Sequence, residues 1–385
     1  MSLYRVLHVG KYYSPFMGGI ENFTRDLVES RPYQENVEVA IIAHQHTSSS
    51  PTTKEMINGV KVVRVKRQAV MLYTPICLSF LKELNGLIAE FKPNVIHIHM
   101  PNLSAFACLL SSSAKKLPWV IHWHADVLGS LPDWRVKLAY NAYQFLEARL
   151  LARAVKIIAT SEPYMLGSKP LAPFQNKVRV IPLGLNMLDR SYPRSKDRHA
   201  GLSLLMIGRL TYYKGHELLI NAIKQIEHVN LTVIGTGELE SSLKSLTVEL
   251  KLESRVTFLG SVSSEVLRTE IASCDLLCLP SIEKTEAFGL VLLEAARQKR
   301  PALTANVSGS GMSWVVQHLE TGIIVEPNSL ESLSNALKFV LKNPELCQLW
   351  GENAHKRFHS LFKIDEVASQ ILSVYNESVE SRDGS

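Results

Sequence analysis

A chain of 385 residues with 46% hydrophobic and 20% charged residues has the composition of a globular protein of two to three domains, which excludes disordered and fibrous classes. Its longest apolar stretches, such as Leu202–Gly208 and Cys274–Pro280, are far shorter than the roughly 20 residues of a membrane-spanning helix. The first ten residues lack the features of a secretory signal, so we expect a cytoplasmic protein. The five cysteines form no C-x-x-C pair, which argues against structural disulfides and a zinc site.

The net charge of +6 is unevenly distributed along the chain. Residues 1–185 carry a net charge of +9, whereas residues 186–385 carry −3. A basic first half suits nucleic acid, an anionic membrane surface or an acidic substrate.

Short β-rich runs alternate with helical patterns along the whole chain, which predicts parallel sheets covered by helices. The strands predicted for a first sheet are Tyr4–Gly10, Val37–His44, Val60–Lys66, Val95–Met100, Trp119–Ala125, Lys156–Ser161 and Val178–Gly184. Those predicted for a second sheet are Leu202–Gly208, Asn230–Gly235, Arg255–Gly260, Cys274–Ser281, Pro301–Asn306 and Thr321–Glu326. Helices of this second series are expected to begin near Gly215, Glu238, Ser263 and Phe288.

The segment between the two series is polar and contains proline, which predicts a linker at residues 186–201 between domains at 1–185 and 202–363. The last helical segment, at residues 364–385, has no strand after it and is expected to pack back on the first domain. The fold class is therefore α/β, with two Rossmann-like, doubly wound sheets facing a cleft.

Ligands of open α/β sheets bind beyond the carboxyl ends of strands. After the first strand of the second series, Arg209 and Lys214 lie five residues apart, just before a helix. A bidentate guanidinium, an ammonium and a helix N-terminus together suit a diphosphate. A solvated loop with two incidental cations is the alternative.

Two carboxylates follow the apolar strand Cys274–Ser281. Glu286 stands in the loop before a helix expected to begin near Phe288, and Glu294 would then lie about two turns along it. The loop amides of Phe288, Gly289 and Leu290 can face a phosphate, and glycine permits the backbone to approach closely. Glu294 on a solvated helix face is the alternative interpretation.

Weaker signals follow three other predicted strands. Gly18 and Gly19 open the first helix and can contact phosphate or sugar, or form only a flexible turn. Gly235 begins a Gly-x-Gly turn that lacks a dinucleotide fingerprint. His124 falls at the carboxyl edge of its strand, whereas His97, His99 and His122 are read as core or rim residues.

Together, the Gly208–Gly215 stretch, the two acids eight residues apart and the early Gly-Gly loop resemble the family 4 retaining glycosyltransferases of the GT-B fold. The resemblance implies that Arg209 and Lys214 bind the diphosphate of a nucleotide-sugar donor. It implies that Glu286 contacts the transferred sugar and Glu294 the ribose. It also implies that Gly18 and Gly19 are donor or acceptor contacts, that Gly235 lies near the nucleotide and that His124 touches the donor sugar. An extra residue, Ala125, separates His124 from Asp126, so the resemblance assigns Asp126 no role.

The sequence contains no Asp-x-Asp and no His/Asp cluster with metal spacing. We therefore expect a transfer that needs no metal or other cofactor, with the leaving diphosphate neutralised by Arg209, Lys214 and helix amides. Gly-x-Ser-x-Gly is absent too, and residues 308–311 read as a small-residue loop rather than a nucleophile elbow.

The basic first half is interpreted as the acceptor side. Residues 134–138, with Lys115 and Lys116, combine basic and aromatic side chains in helical surroundings, typical of a peripheral contact with anionic lipid at the inner face of the cell membrane. An ordinary solvated surface is the alternative. The expected acceptor is a lipid-linked oligosaccharide of O-antigen or capsule synthesis, and the donor GDP-mannose.

Other functions fit the sequence less well. A sugar-nucleotide epimerase has no need of the basic half, a phosphorylase would need a cofactor-bearing lysine, and a nucleic-acid module leaves the Glu286–Glu294 spacing unexplained. A soluble glycosyltransferase with a small-molecule acceptor remains open.

Overall fold

The computed structural model describes residues 4–16, 18–47, 50–71, 74–127, 134–188, 190–192 and 201–383. The chain divides into two compact units. Unit 1 comprises Met1–Asn186 and Ile364–Ser385, and unit 2 comprises Met187–Lys363. Most of the predicted linker lies outside the described residues.

Unit 1 is built on an eight-stranded sheet with the order β10-β9-β8-β7-β1-β2-β4-β3, in which only β3 is antiparallel to its neighbour. Its strands are β1 (Tyr4–Val9), β2 (Val37–His44), β3 (Thr53–Ile57), β4 (Val60–Val65), β7 (Val95–Met100), β8 (Trp119–Trp123), β9 (Lys156–Ala159) and β10 (Val178–Val180). A separate hairpin joins β5 (Ala69–Met71) to β6 (Thr74–Ile76). Helices of unit 1 are α1 (Gly19–Glu29), α2 (Arg31–Asn36), α3 (Phe80–Phe91), α4 (Ala107–Leu110), α5 (Trp134–Arg153), α6 (Glu162–Gly167) and α14 (Ile364–Asp383).

The central strands of unit 1 are almost continuous runs of buried residues, as expected when helices cover both faces of a parallel sheet. Parallel register sets His8 of β1 beside His97 of β7, and His99 of β7 beside His122 of β8. Histidines from three chain segments are thereby brought together near the carboxyl ends of these strands.

The helix α14 follows unit 2 in the chain but packs in unit 1, against α1, α2, β7 and β8. The hydroxyl of Tyr375 on this helix contacts His97 Nδ1 at 2.5 Å and hydrogen-bonds the hydroxyl of Tyr33 on α2. The segment thus contributes to the buried interior of unit 1.

Unit 2 has a six-stranded, all-parallel sheet with the order β13-β12-β11-β14-β15-β16. Its strands are β11 (Leu202–Ile207), β12 (Val229–Ile234), β13 (Val256–Gly260), β14 (Leu276–Leu279), β15 (Ala302–Ala305) and β16 (Gly322–Val325). Its helices are α7 (His216–Lys224), α8 (Glu240–Glu249), α9 (Ser264–Ser273), α10 (Leu290–Arg297), α11 (Met312–Val315), α12 (Leu330–Lys342) and α13 (Glu345–Leu361).

The predicted α/β class with two parallel-sheet domains is confirmed, but some strand predictions were wrong. The first sheet has eight strands rather than seven, because the exposed edge strand β3 carries no buried apolar alternation that would reveal it. The hairpin β5–β6 was missed. Strand β8 ends at Trp123 rather than Ala125, and β10 at Val180 rather than Gly184.

Of the helices that the structure describes, none combines the length and the apolar character required to cross a bilayer.

Candidate functional site

Two glycines end adjacent strands at the carboxyl edge of the unit 2 sheet. Gly208 follows β11 and Gly235 follows β12, both with positive φ. A methyl group on Gly235 would lie 1.9 Å from the carbonyl oxygen of Gly208, so only glycine permits this approach. Close packing of the two strand ends therefore explains why position 235 is a glycine. A nucleotide contact for Gly235 stays a prediction.

The loop after β11 and the loop after β14 meet through a buried ion pair between the Lys214 ammonium and the Glu286 carboxylate. The two side chains are only 10% and 13% exposed. Burial by itself would lower the pKa of Lys214, but the negative charge of Glu286 outweighs it and the pKa is raised. Lys214 is therefore fully charged at neutral pH. The predicted phosphate cation and the predicted sugar-binding acid are direct partners.

An ammonium group has three donors, so the bond to Glu286 leaves donors for a second acceptor. Lys214 Nζ also lies 5.7 Å from the ring centre of Tyr213. Arg209, on the same loop, is exposed. Its positive charge acts to lower the pKa of Lys214. Arg209 also interacts electrostatically with Glu238, so this part of the edge holds charged groups of both signs.

The helix α10 begins beside this pair. Gly289 occupies the N-cap in the left-handed region, with φ 77°, and no side chain in the described part of the protein caps the helix. The first amides of a helix need partners from outside it, and an anion is a suitable one. Phe288 anchors the loop, since its side chain is buried and lies 6.2 Å from the ring of Phe362.

Glu294 lies about half a turn nearer the start of its helix than predicted. The helix starts at Leu290 rather than Phe288, because Gly289 is not helical, so half-buried Glu294 lies about one turn into α10. The carboxylate is consequently nearer the N-terminal end of the helix than expected.

A supporting contact that the sequence did not reveal comes from the small-residue loop after β15. The buried Ser310 hydroxyl donates to the carbonyl of Glu286 at 2.6 Å, and the Gly311 amide donates to the carbonyl of Ala287 at 2.7 Å. These two bonds fix the backbone that carries Glu286. Only the run of small residues, which lets the two loops approach, hinted at this role.

In unit 1, Gly18 is the N-cap of α1 and lies in extended backbone. A methyl group there would lie 2.2 Å from the carboxylate of Glu21, so the glycine makes room for a buried acid. Among the described residues, no atom lies within 4 Å of the position where Gly19 would carry a side chain. Met17 lies outside the described residues.

His124 lies one residue beyond β8 and is still tied to the sheet, since its amide donates to the carbonyl of Met100. The ring is 5% exposed, and Nε2 lies 3.0 Å from Nδ1 of His99. Asp126 is held within unit 1, because its carboxylate accepts from Trp123 Nε1 at 2.9 Å and from Ser168 Oγ at 2.6 Å. These contacts give Asp126 a structural role.

The prediction that no histidine cluster has metal-compatible spacing was wrong. The fold assembles two buried groups whose ring nitrogens lie within 4.8 Å of one another, namely His8, His97 and His99, and His99, His122 and His124. Two H-x-H pairs, His97 with His99 and His122 with His124, are visible in the sequence, but only the parallel register of the sheet brings the pairs and His8 together. Desolvation by burial lowers the pKa of each ring, that of His99 to about 3, so all five are neutral near pH 7.

The structure thus brings Arg209, Lys214, Glu286 and the start of α10 to one edge of unit 2. It places Gly18, Gly19 and His124 in unit 1. The predicted basic and aromatic segment belongs to the start of α5, but the side chains of residues 128–139 lie outside the described part of the chain.

Comparison with known proteins identifies the family of the chain. Residues 18–184 match the model of the glycosyl transferase 4-like domain, and residues 194–357 match that of the glycosyl transferases group 1. The chain is 28% identical over 385 residues to the O-antigen chain mannosyltransferase C of Escherichia coli, covering 98% of this chain and 100% of the relative. It is 30% identical to an uncharacterized glycosyltransferase of Methanocaldococcus jannaschii, covering 98% and 99%.

Solved structures show the same fold. A sucrose-phosphate synthase from Thermosynechococcus elongatus superposes with a TM-score of 0.78 at 22% identity, covering 97% of this chain and 98% of that one. The HepE protein of Anabaena, solved in complex with UDP-glucose, superposes with a TM-score of 0.73 at 18% identity, covering 97% and 99%. With two matched domains and relatives aligned over nearly its full length, the chain belongs to the group 1 glycosyltransferases and has their GT-B fold.

Proposed function

We propose that this glycosyltransferase moves mannose from GDP-mannose to a lipid-linked saccharide of bacterial O-antigen or capsule synthesis, with retention of configuration at the anomeric carbon. The name of the Escherichia coli relative, a mannosyltransferase acting on O-antigen chains, supports both the sugar and the pathway. The UDP-glucose complex of the Anabaena structure supports a nucleotide-sugar donor.

The observation that carries the proposal is the buried Lys214–Glu286 pair beside the uncapped start of α10. We assign the donor diphosphate to Lys214, Arg209 and the amides of residues 288–290. Glu286, already fixed by Lys214, receives the hydroxyls of the transferred sugar, and Glu294 the ribose. His124 of unit 1 is assigned to the sugar on the strength of the family resemblance.

In the proposed reaction, an acceptor hydroxyl oxygen bonds to the anomeric carbon on the face that the diphosphate leaves. The bond from that carbon to the phosphate oxygen breaks, and the acceptor proton passes to the departing phosphate. Negative charge develops on the leaving group, where Arg209, Lys214 and the α10 amides lower its energy. The cations perform this task without a metal ion.

The acceptor side of the proposal rests on the surface around α5. Phe145 is 60% exposed, and the guanidinium of Arg149 lies 5.0 Å from its ring centre. Lys115 and Lys116 are exposed as well, and Arg153 ties α5 to their turn through the carbonyl of Lys115. Exposed aromatic and basic side chains in one region suit a peripheral contact with anionic lipid at the cytoplasmic face.

The donor is tested by measuring thermal stabilisation with GDP-mannose, GDP, UDP-glucose and UDP, since a bound ligand raises the unfolding temperature. We expect GDP-mannose to stabilise most. Transfer is then followed by NMR of the product formed on a lipid-linked saccharide, where an α-linkage from the α-configured donor shows retention. Stabilisation by uridine nucleotides only, or loss of turnover in EDTA, would contradict the donor or the metal-independent reaction.

The membrane contact is tested by co-sedimentation with vesicles of anionic and of zwitterionic lipid. We expect binding to the anionic vesicles at low salt, released at high salt. A Phe145→Ser variant should bind less and keep its activity on a water-soluble acceptor. No sedimentation with either lipid at low salt would point to a soluble enzyme with a small-molecule acceptor.

A further inference from the structure

Three of the buried histidines in unit 1 form a chain of ring nitrogens. His8 Nδ1 lies 3.0 Å from His99 Nε2, and His99 Nδ1 lies 3.0 Å from His124 Nε2. His99 therefore uses both of its nitrogens, one toward each neighbour. The chain runs from β1, through β7, to the residue after β8.

The geometry of both contacts is that of hydrogen bonds in the plane of the rings. The ring centroids are 5.3 Å apart in each pair, with interplanar angles of 21° and 12°. That distance is the N···N separation plus one ring radius on each side, so each nitrogen points directly at its partner. Lone pairs aimed at each other are not aimed at a common third point, which argues against a shared metal ion at these atoms.

Neutral imidazole carries one N–H and one acceptor nitrogen, so the chain has only two consistent arrangements. In the first, all three rings are protonated on Nδ1: His8 donates to His99, His99 donates to His124, and His124 Nδ1–H is the free end. In the second, all three are protonated on Nε2, the bonds run in reverse, and the free N–H is His8 Nε2. The tautomer of His124 is thus tied to that of His8, which it does not touch.

The two ends of the chain differ in what can satisfy them. His8 Nε2 and His124 Nδ1 are both buried with no hydrogen-bond partner in the part of the chain that the structure describes. An unpaired buried donor is destabilising by about 1–3 kcal/mol. His8 is fully buried in the sheet, whereas His124 follows the end of its strand and is 5% exposed as a residue.

We propose that His8 and His99 are positioning residues that hold His124 in its Nδ1–H tautomer, so that His124 offers an N–H donor to a hydroxyl oxygen of the transferred sugar. The inference rests on the proposed contact between His124 and the donor sugar. Two neighbouring rings lie outside the chain: His97 Nδ1 contacts Tyr375, and His122 stacks on His124 at a centroid distance of 4.3 Å.

The wild-type protein provides the first test. Two-bond ¹H–¹⁵N correlation spectra of protein labelled with ¹⁵N-histidine distinguish Nδ1–H from Nε2–H rings, and no ligand is required. We expect the Nδ1–H pattern for His8, His99 and His124 alike. An Nε2–H pattern on any of the three, or averaged shifts from rapid exchange between tautomers, would overturn the proposal.

Variants at the remote end provide the second test. His8→Phe keeps a ring but removes the donor to His99, so His124 should sample both tautomers and the donor KM should rise about threefold to tenfold, the value of one hydrogen bond. His8→Asn keeps an N–H near the position of Nδ1 and should restore both the NMR pattern and the KM. His97→Phe, equally buried but outside the chain, is the matched control and should leave the His124 pattern unchanged.

These measurements separate the inference from the proposed function. If His124 does not contact the donor sugar, the tautomer pattern and its response to His8→Phe persist while the donor KM stays constant. If the chain does not set the tautomer, the pattern itself fails, whichever nucleotide sugar is the donor. Should His8→Phe not fold, the wild-type spectrum and the His8→Asn variant still decide.

Discussion

The sheets of the two units carry opposite chemistry near their carboxyl ends. In unit 2 the edge holds charged groups, with Lys214 and Glu286 paired and Arg209 exposed nearby. In unit 1 the corresponding region holds neutral imidazoles, kept uncharged by burial. Charges suit a diphosphate, whereas neutral donors and acceptors suit the hydroxyls of a sugar. The two sheets are of similar topology, yet the side chains near their carboxyl ends differ in charge and burial.

The largest expected difference between the units is their response to acid. Burial lowers the pKa of six histidines in unit 1, with His44 at about 4 and His99 at about 3. In unit 2 only His216, at about 4, and His355 shift this way among the described residues. These histidines stay neutral in the folded state, whereas in the unfolded chain they bind protons. Their contribution to stability is therefore complete above about pH 6.5 and is lost as the pH falls toward the folded pKa.

Each such histidine removes about 1 kcal/mol between about pH 6.5 and pH 5.5. Glu147, whose pKa burial raises to about 7, offsets one of the six because the folded state binds its proton first. We therefore expect unit 1 to lose more stability than unit 2 as the pH falls, measured as opening free energies by hydrogen exchange in the two units. A parallel loss in both units would contradict the contrast.

Among substitutions, the largest effect is expected at the ion pair. Lys214→Ala removes the phosphate cation and leaves the Glu286 carboxylate buried without it, so turnover should fall about 100-fold to 1000-fold and stability by about 3–5 kcal/mol. Denaturant unfolding and steady-state kinetics measure the two losses.

A double variant separates the effect of the Lys214 and Glu286 charges from that of their packing. Lys214→Met with Glu286→Leu should recover most of the stability, because no buried charge is left unpaired, but none of the activity. Arg209→Ala should reduce turnover with unchanged unfolding, since Arg209 is exposed. Normal turnover in both Lys214→Ala and Arg209→Ala would remove the diphosphate assignment.

Backbone constraint should also differ between the units. Gly235→Ala forces a methyl group against the Gly208 carbonyl at a φ of 140°, and we expect a loss of about 2–3 kcal/mol in unit 2. Gly18→Ala meets only the movable end of the Glu21 side chain, at an extended φ, and should destabilise unit 1 by about 1 kcal/mol or less. Thermal unfolding compares them, and equal losses would show that the Glu21 carboxylate is rigidly held.

The smallest predicted effect tests the hydrogen bond from the Ser310 hydroxyl to the Glu286 carbonyl. Ser310→Ala leaves the Glu286 carbonyl without its hydroxyl donor and should lower stability by about 1 kcal/mol and kcat severalfold. The exposed Ser308→Ala in the same loop is the matched control and should change neither. If both variants behave alike, Ser310 does not position Glu286.

What the sequence predicts about these two regions differs for a physical reason. Lys214 and Glu286 each lie in a loop directly after an apolar strand, so a local pattern suffices to place both at one sheet edge. His8, His99 and His124 occupy three strands or strand ends, and only the parallel register of the sheet reveals that they touch. Chemistry carried by one motif is readable from sequence, whereas chemistry assembled across a sheet is not.

Smaller differences have local causes. The edge strand Thr53–Ile57 was missed because its exposed side chains give no burial pattern. The start of α10 was placed too early because nothing in the sequence shows that Gly289 adopts a left-handed conformation. The role of Ser310 depends on two loops meeting, which spacing along the chain does not report.

The position of α14 has a consequence for how the protein is made. Because this helix lies beyond unit 2 in the chain and yet supplies Tyr375 to the interior of unit 1, the first half of the chain cannot reach its final packing while it is being synthesised. Unit 2 can acquire its sheet from one uninterrupted segment. During translation unit 1 is therefore incomplete, with His97 not yet covered by Tyr375, until α14 has been synthesised after unit 2.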